Sequence, residues 1–80
     1  MLYLIASPIG NLGDISVRAI EVLKTVDLIA SEDTRRTRLL LTHYQITTPL
    51  DSYHDHTSLQ KREHLIKELS EGKSIALISD

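Results

Sequence analysis

No cysteine occurs in these 80 residues, so disulfide bridges and thiolate metal sites are excluded. Long hydrophobic runs are missing too. The apolar stretches reach about six residues, well short of the roughly 20 that a membrane-spanning helix requires. No basic segment precedes them, so a secretory leader is not expected. Charge of one sign is also scarce. With 9 Lys and Arg against 11 Asp and Glu, the net charge is −2, which argues against binding nucleic acid over the whole surface. Any such contact must come from a local cluster. Glycine is limited to 3 residues. Gly10 and Gly13 lack the third glycine of a dinucleotide fingerprint, and no Gly-Lys-Ser/Thr of a phosphate-binding loop is present. Together these absences leave a soluble cytoplasmic domain. Its hydrophobic content of 41% is enough for a core.

Four apolar runs remain, at residues 2–7, 26–31, 48–53 and 74–79, with amphipathic stretches between them. Runs one, two and four are apolar on both faces, the pattern of strands covered by helices on either side. The third carries Pro49 near its start and suits a sheet edge. Three helices are predicted between the strands. In the first, Asp14 is positioned to cap and Ile15, Ala19, Ile20, Leu23 and Val26 form the apolar side. The second begins near Asp33 or Thr34 and presents Leu39, Leu40, Leu41 and Tyr44. The third has Thr57 and Gln60 at capping-box spacing and Leu59, Leu65, Ile66 and Leu69 as its apolar side, with Gly72 placed to end it. Strand–helix alternation of these lengths predicts an α/β fold, a parallel sheet between two helical layers built from right-handed crossovers. The run ending at Asp80 has the look of a central strand without its loop, which points to the first part of a longer protein.

The polar residues gather at one edge. Pro8, Ile9, Gly10 and Asn11 follow the first strand. Ser31, Glu32, Asp33, Thr34, Arg35 and Arg36 follow the second, His54, Asp55 and His56 the third, and Asp80 the fourth. Ligands of open α/β sheets are met at these carboxyl ends. Arginines in a first helical turn oppose the helix dipole at about 0.3–1 kcal/mol each when exposed. Arg35, Arg36 and Arg38 are therefore candidates for holding a phosphate-bearing partner, unless they pair with neighbouring carboxylates. His54 and His56 face the same side of an extended segment, yet no third ligand stands at good spacing, so no metal site is expected. Ser7, Ser31 and Ser79 lack the surroundings of a nucleophile elbow.

Residues 3–15, Ser31-Glu32-Asp33-Thr34-Arg35, Ser52-Tyr53-His54-Asp55-His56 and the closing Ala76-Leu77-Ile78-Ser79-Asp80 together resemble, in one colinear order, the signatures of ribosomal RNA methyltransferases of the tetrapyrrole methylase superfamily. The resemblance implies a two-domain, homodimeric enzyme. It would move a methyl group from S-adenosyl-L-methionine to the 2′-hydroxyl of a cytidine ribose in small-subunit (16S) ribosomal RNA. The implied first domain has strand order 3-2-4-1-5, of which this chain supplies 3-2-4-1; the fifth strand and second domain are absent. Ile9 and Asp80 map to cofactor-binding positions, with Gly10 adjacent. Arg35, Arg36 and Arg38 would hold RNA, and His54, His56 and Asp33 are the candidates for a catalytic base. Ser7 stands where threonine is common in that family. The 80 residues alone are expected to fold without being active. A methylase acting on a tetrapyrrole or a protein, and a non-catalytic RNA-binding module, are the alternative readings.

Overall fold

The computed structural model describes residues 1–8, 12–53 and 59–79. Four parallel strands, β1 (Leu2–Ala6), β2 (Leu28–Ser31), β3 (Leu50–Ser52) and β4 (Ile75–Ser79), lie in the order β1-β4-β2-β3. Read from the other edge this is the expected 3-2-4-1, with the last strand between the first two. Helices α1 (Val17–Thr25), α2 (Thr34–His43) and α3 (Leu59–Ser70) connect them. Because the crossovers β1-α1-β2 and β2-α2-β3 run the same way along the sheet, right-handedness puts α1 and α2 on one face. The β3-α3-β4 connection reverses direction and brings α3 to the other.

The principal core lies under α1 and α2, where Leu23, Val26, Leu40, Leu41 and Ile46 meet Ile5, Ile29, Ala76 and Ile78 from the strands. On the opposite face α3 sets Leu65, Ile66 and Leu69 along a groove of about 220 Å³ shared with Leu2, Ala30 and Leu77.

The structure corrects several expectations from the sequence. Asp14 does not cap α1. It closes a 3-10 turn (Leu12–Asp14), and Ser16, in extended conformation, accepts from the Ala19 amide at 3.1 Å instead. Ile15 consequently lies before the helix, although it still packs against the core. Leu39 and Ile66 are each 65% exposed and Leu59 71%, although all three are expected on apolar helix sides. Residues step by about 100° around a helix, so three consecutive leucines cannot all face inward, and α2 buries Thr37, Leu40 and Leu41. Nor is β1 covered on both faces. It lies at a sheet edge that α3 covers only in part, with Leu2 and Leu4 at 49% and 76% exposure.

Helix ends follow local chemistry. Gly72 adopts φ 90° just past α3, while the Lys73 amide reaches back to the Glu68 carbonyl at 3.1 Å, as the sequence predicts for a terminating glycine. Gln45 performs the same duty after α2 at φ 56°, with the Ile46 amide on the Leu41 carbonyl at 2.8 Å. Thr57 lies outside the described residues.

Candidate functional site

The carboxyl ends of β1 and β4 sit side by side. Ala6 is in register with Ser79, and the Ser7 amide donates to the Ser79 carbonyl at 2.8 Å. On the far side of β4, Ser31 ends β2 opposite Ile78. The segments after the first, second and fourth strands therefore start from one contiguous edge. Ile9, Gly10, His54, His56 and Asp80 themselves lie outside the described residues.

At this edge Ser31 is 1% exposed, and its Oγ has no hydrogen-bond partner among the described residues. An unmatched buried hydroxyl costs about 1–3 kcal/mol. This polar orphan lies beside two adjacent strand ends. Positions 9, 10 and 80 follow those strands directly in the chain.

Asp33 ends the β2–α2 connection. One carboxylate oxygen accepts from the Arg35 amide at 3.1 Å and the Arg36 amide at 3.2 Å, satisfying the free N–H groups of the first turn. This cap also offsets the unfavourable dipole placement of the arginines. Asparagine caps as well as aspartate but accepts no proton at neutral pH. Asp33→Asn is therefore expected to keep stability within about 0.5 kcal/mol, and Asp33→Ala to lose about 1 kcal/mol, by urea denaturation.

The three arginines separate. Arg35 and Arg38, three apart and so on one helix face, are exposed. With Thr34, Leu50, Asp51 and Ser52 they line an open cleft of about 520 Å³ beside β3. Arg36 points elsewhere. It is half-buried, and its Nη2 donates to the Pro8 carbonyl at 2.7 Å. None of the three forms an ion pair with a described residue. Lys61 from α3 bonds both Asp51 (2.9 Å) and Ser52 Oγ (2.8 Å). That Lys61 hydrogen bond holds the Asp51 carboxyl below the usual carboxylate range.

Sequence reading missed Lys61 and Tyr44. The Tyr44 hydroxyl donates to the Leu12 carbonyl at 2.6 Å, so a residue expected only to pack also ties down the chain after β1. Among the described residues no group of three or more His, Cys, Asp or Glu could hold a metal. No helix among them is long and apolar enough to cross a membrane.

A parallel α/β domain with an exposed basic cleft beside its carboxyl edge defines the class of ligand-binding open-sheet proteins. The sequence model for Tetrapyrrole (Corrin/Porphyrin) Methylases matches residues 1–80, and the chain belongs to that family. It is 59% identical over 80 residues to the Ribosomal RNA small subunit methyltransferase I of Synechocystis sp., covering 100% of this chain and 29% of that protein. Proteins of the same name from Escherichia coli O157:H7 and Bacillus subtilis are 57% and 52% identical, over 99% and 100% of this chain and 28% and 27% of their own lengths. The chain thus spans less than a third of the length of these three relatives.

Proposed function

We propose that this chain serves in the transfer of a methyl group from S-adenosylmethionine to the 2′-hydroxyl of a cytidine ribose in small-subunit ribosomal RNA. In this reading residues 1–80 form the first part of a two-domain, homodimeric, cytoplasmic enzyme. The observation that carries it is identity above half along the whole chain to proteins named for small-subunit ribosomal RNA methylation. The basic cleft beside the ligand edge agrees with a polynucleotide substrate.

When bound, S-adenosylmethionine supplies an electrophilic methyl group on a positively charged sulfur. The protein's task is then chiefly to orient the ribose hydroxyl in line with that methyl group. Arg35 and Arg38 hold RNA phosphates, which fix register and orientation without reading sequence. A base takes the hydroxyl proton; His54, His56 and Asp33 are the candidates. Ile9, Gly10 and Asp80 contribute one wall of the cofactor cleft, and the rest of the enzyme contributes the other.

The deciding experiment incubates the natural chain that carries this sequence at full length with methyl-labelled S-adenosylmethionine and small ribosomal subunits. The RNA is then digested to nucleosides for mass spectrometry. Label in 2′-O-methylcytidine is expected. Label on a base would overturn the ribose assignment. Label entering a tetrapyrrole but no RNA would move the enzyme to another branch of the family.

A further inference from the structure

Helix α2 is tied twice to the connection that leaves β1. In its first turn Arg36 donates to the Pro8 carbonyl at 2.7 Å, and at its C-cap Tyr44 donates to the Leu12 carbonyl at 2.6 Å. The bonds cross 28 and 32 residues of sequence and bracket positions 9–11 from both sides. Both are partly buried, so water competes less for the carbonyls. The helix is itself firmly seated. Thr37, Leu40 and Leu41 are at most 3% exposed, and the Tyr44 amide is held by the Leu40 carbonyl at 3.2 Å. The connection follows a strand at the carboxyl edge of the sheet, where open α/β sheets meet their ligands. Affinity there depends on how much ordering is left to be done on binding.

We propose that α2 clamps the β1–α1 connection from both flanks, Arg36 through Pro8 and Tyr44 through Leu12, and thereby sets affinity for S-adenosylmethionine. Arg36 is a positioning residue and is removed from the RNA-facing set, which leaves Arg35 and Arg38. The ligand in this proposal rests on the methyltransferase reading; the clamp does not.

The test compares Arg36→Met, which keeps the aliphatic stem without the donor, with Arg36→Lys, Tyr44→Phe and Arg35→Met, all in the full-length natural chain. Three measurements are made: amide hydrogen exchange of Leu12 to Ser16, kinetics against S-adenosylmethionine concentration, and the salt dependence of RNA affinity. Arg36→Met and Tyr44→Phe should each raise exchange and the KM for S-adenosylmethionine about tenfold, as loss of a partly buried hydrogen bond would. Saturating kcat should stay within about twofold, because transition-state contacts are untouched. Arg36→Lys should recover most of the KM. The logarithmic salt slope should be unchanged in Arg36→Met and reduced by about 1 in Arg35→Met.

Unchanged exchange in Arg36→Met and Tyr44→Phe overturns the clamp. A salt slope that falls in Arg36→Met as it does in Arg35→Met returns Arg36 to the RNA surface and overturns its positioning role. A lower melting temperature with unaltered KM reduces the two bonds to stability alone and overturns the link to the cofactor. Faster exchange in both variants of a protein whose wild type binds no S-adenosylmethionine sustains the clamp and overturns the methyltransferase reading instead.

Discussion

Replacing Leu23 by alanine is expected to remove about 2–5 kcal/mol of folding stability, the range for emptying a fully buried leucine site. Leu23 is 0% exposed and sits where α1 meets the sheet, in contact with the cluster formed by Ile5, Ile29 and Ile78. Its carbonyl also accepts the buried Thr48 hydroxyl at 2.6 Å, so any shift of the α1 backbone to fill the void strains that bond. At roughly 0.05–0.15 kcal/mol per residue, a chain of this size holds only about 4–12 kcal/mol in all. One such cavity therefore takes a large share of it. Leu39→Ala is the matched control. Leu39 is 65% exposed on α2, and its loss should cost within about 0.5 kcal/mol. Urea denaturation of both variants reads the difference directly. A Leu23→Ala cost below that of Leu39→Ala would place the core elsewhere.

If the proposed function holds, the double variant Arg35→Ala/Arg38→Ala in the full-length natural chain should lose about a hundredfold in affinity for small-subunit RNA at low salt, the equivalent of two modest charge-assisted contacts. Its logarithmic salt slope should fall by about 1.5, because each phosphate contact on flexible or single-stranded RNA releases most of one counterion. The reason lies in the geometry. The two guanidinium-bearing side chains are exposed on one flank of α2, line the same open cleft, and form no ion pair with a described carboxylate that phosphate would have to displace. Affinity for S-adenosylmethionine should be unchanged, since neither side chain ties down the connection after β1. Filter binding across a salt series and calorimetry with the cofactor provide the two readings. An unaltered salt slope would make these arginines an ordinary solvated surface.

The boundary between Arg36 and its neighbours was partly legible in the sequence. Arg35 and Arg38 are three residues apart and must share a helix face, whereas Arg36 lies four before Leu40, on the side that turns toward the core. What periodicity could not supply was the acceptor. The Pro8 carbonyl is remote in sequence and comes within reach only when β1 and α2 pack in the same domain. The Tyr44–Leu12 bond was hidden for the same reason. Asp33 was different. Capping is local, yet the sequence reading offers Asp33 only as a place where α2 begins and as a candidate base, and its capping role emerges from the structure. Asp14 shows how close competitors defeat such readings. It stands two positions before Ser16, and the turn geometry decided which of them capped α1.

The sequence by itself determined the alternation of strands and helices, the parallel sheet, and the placing of the fourth run between the first and second. These follow from short apolar runs, helical periodicity and the signature residues that identify the family. Tertiary structure alone decided which apolar residues are core. Leu39, Ile66, Leu2 and Leu4 are as apolar as Leu40 and Leu65, yet they remain exposed, the first two because only part of each helix's surface meets the sheet and the last two because β1 is an edge strand. It also decided how three neighbouring arginines divide their work. A guanidinium's role depends on what stands within about 3 Å of it, and for Arg36 that neighbour is brought from 28 residues away by the packing of the fold.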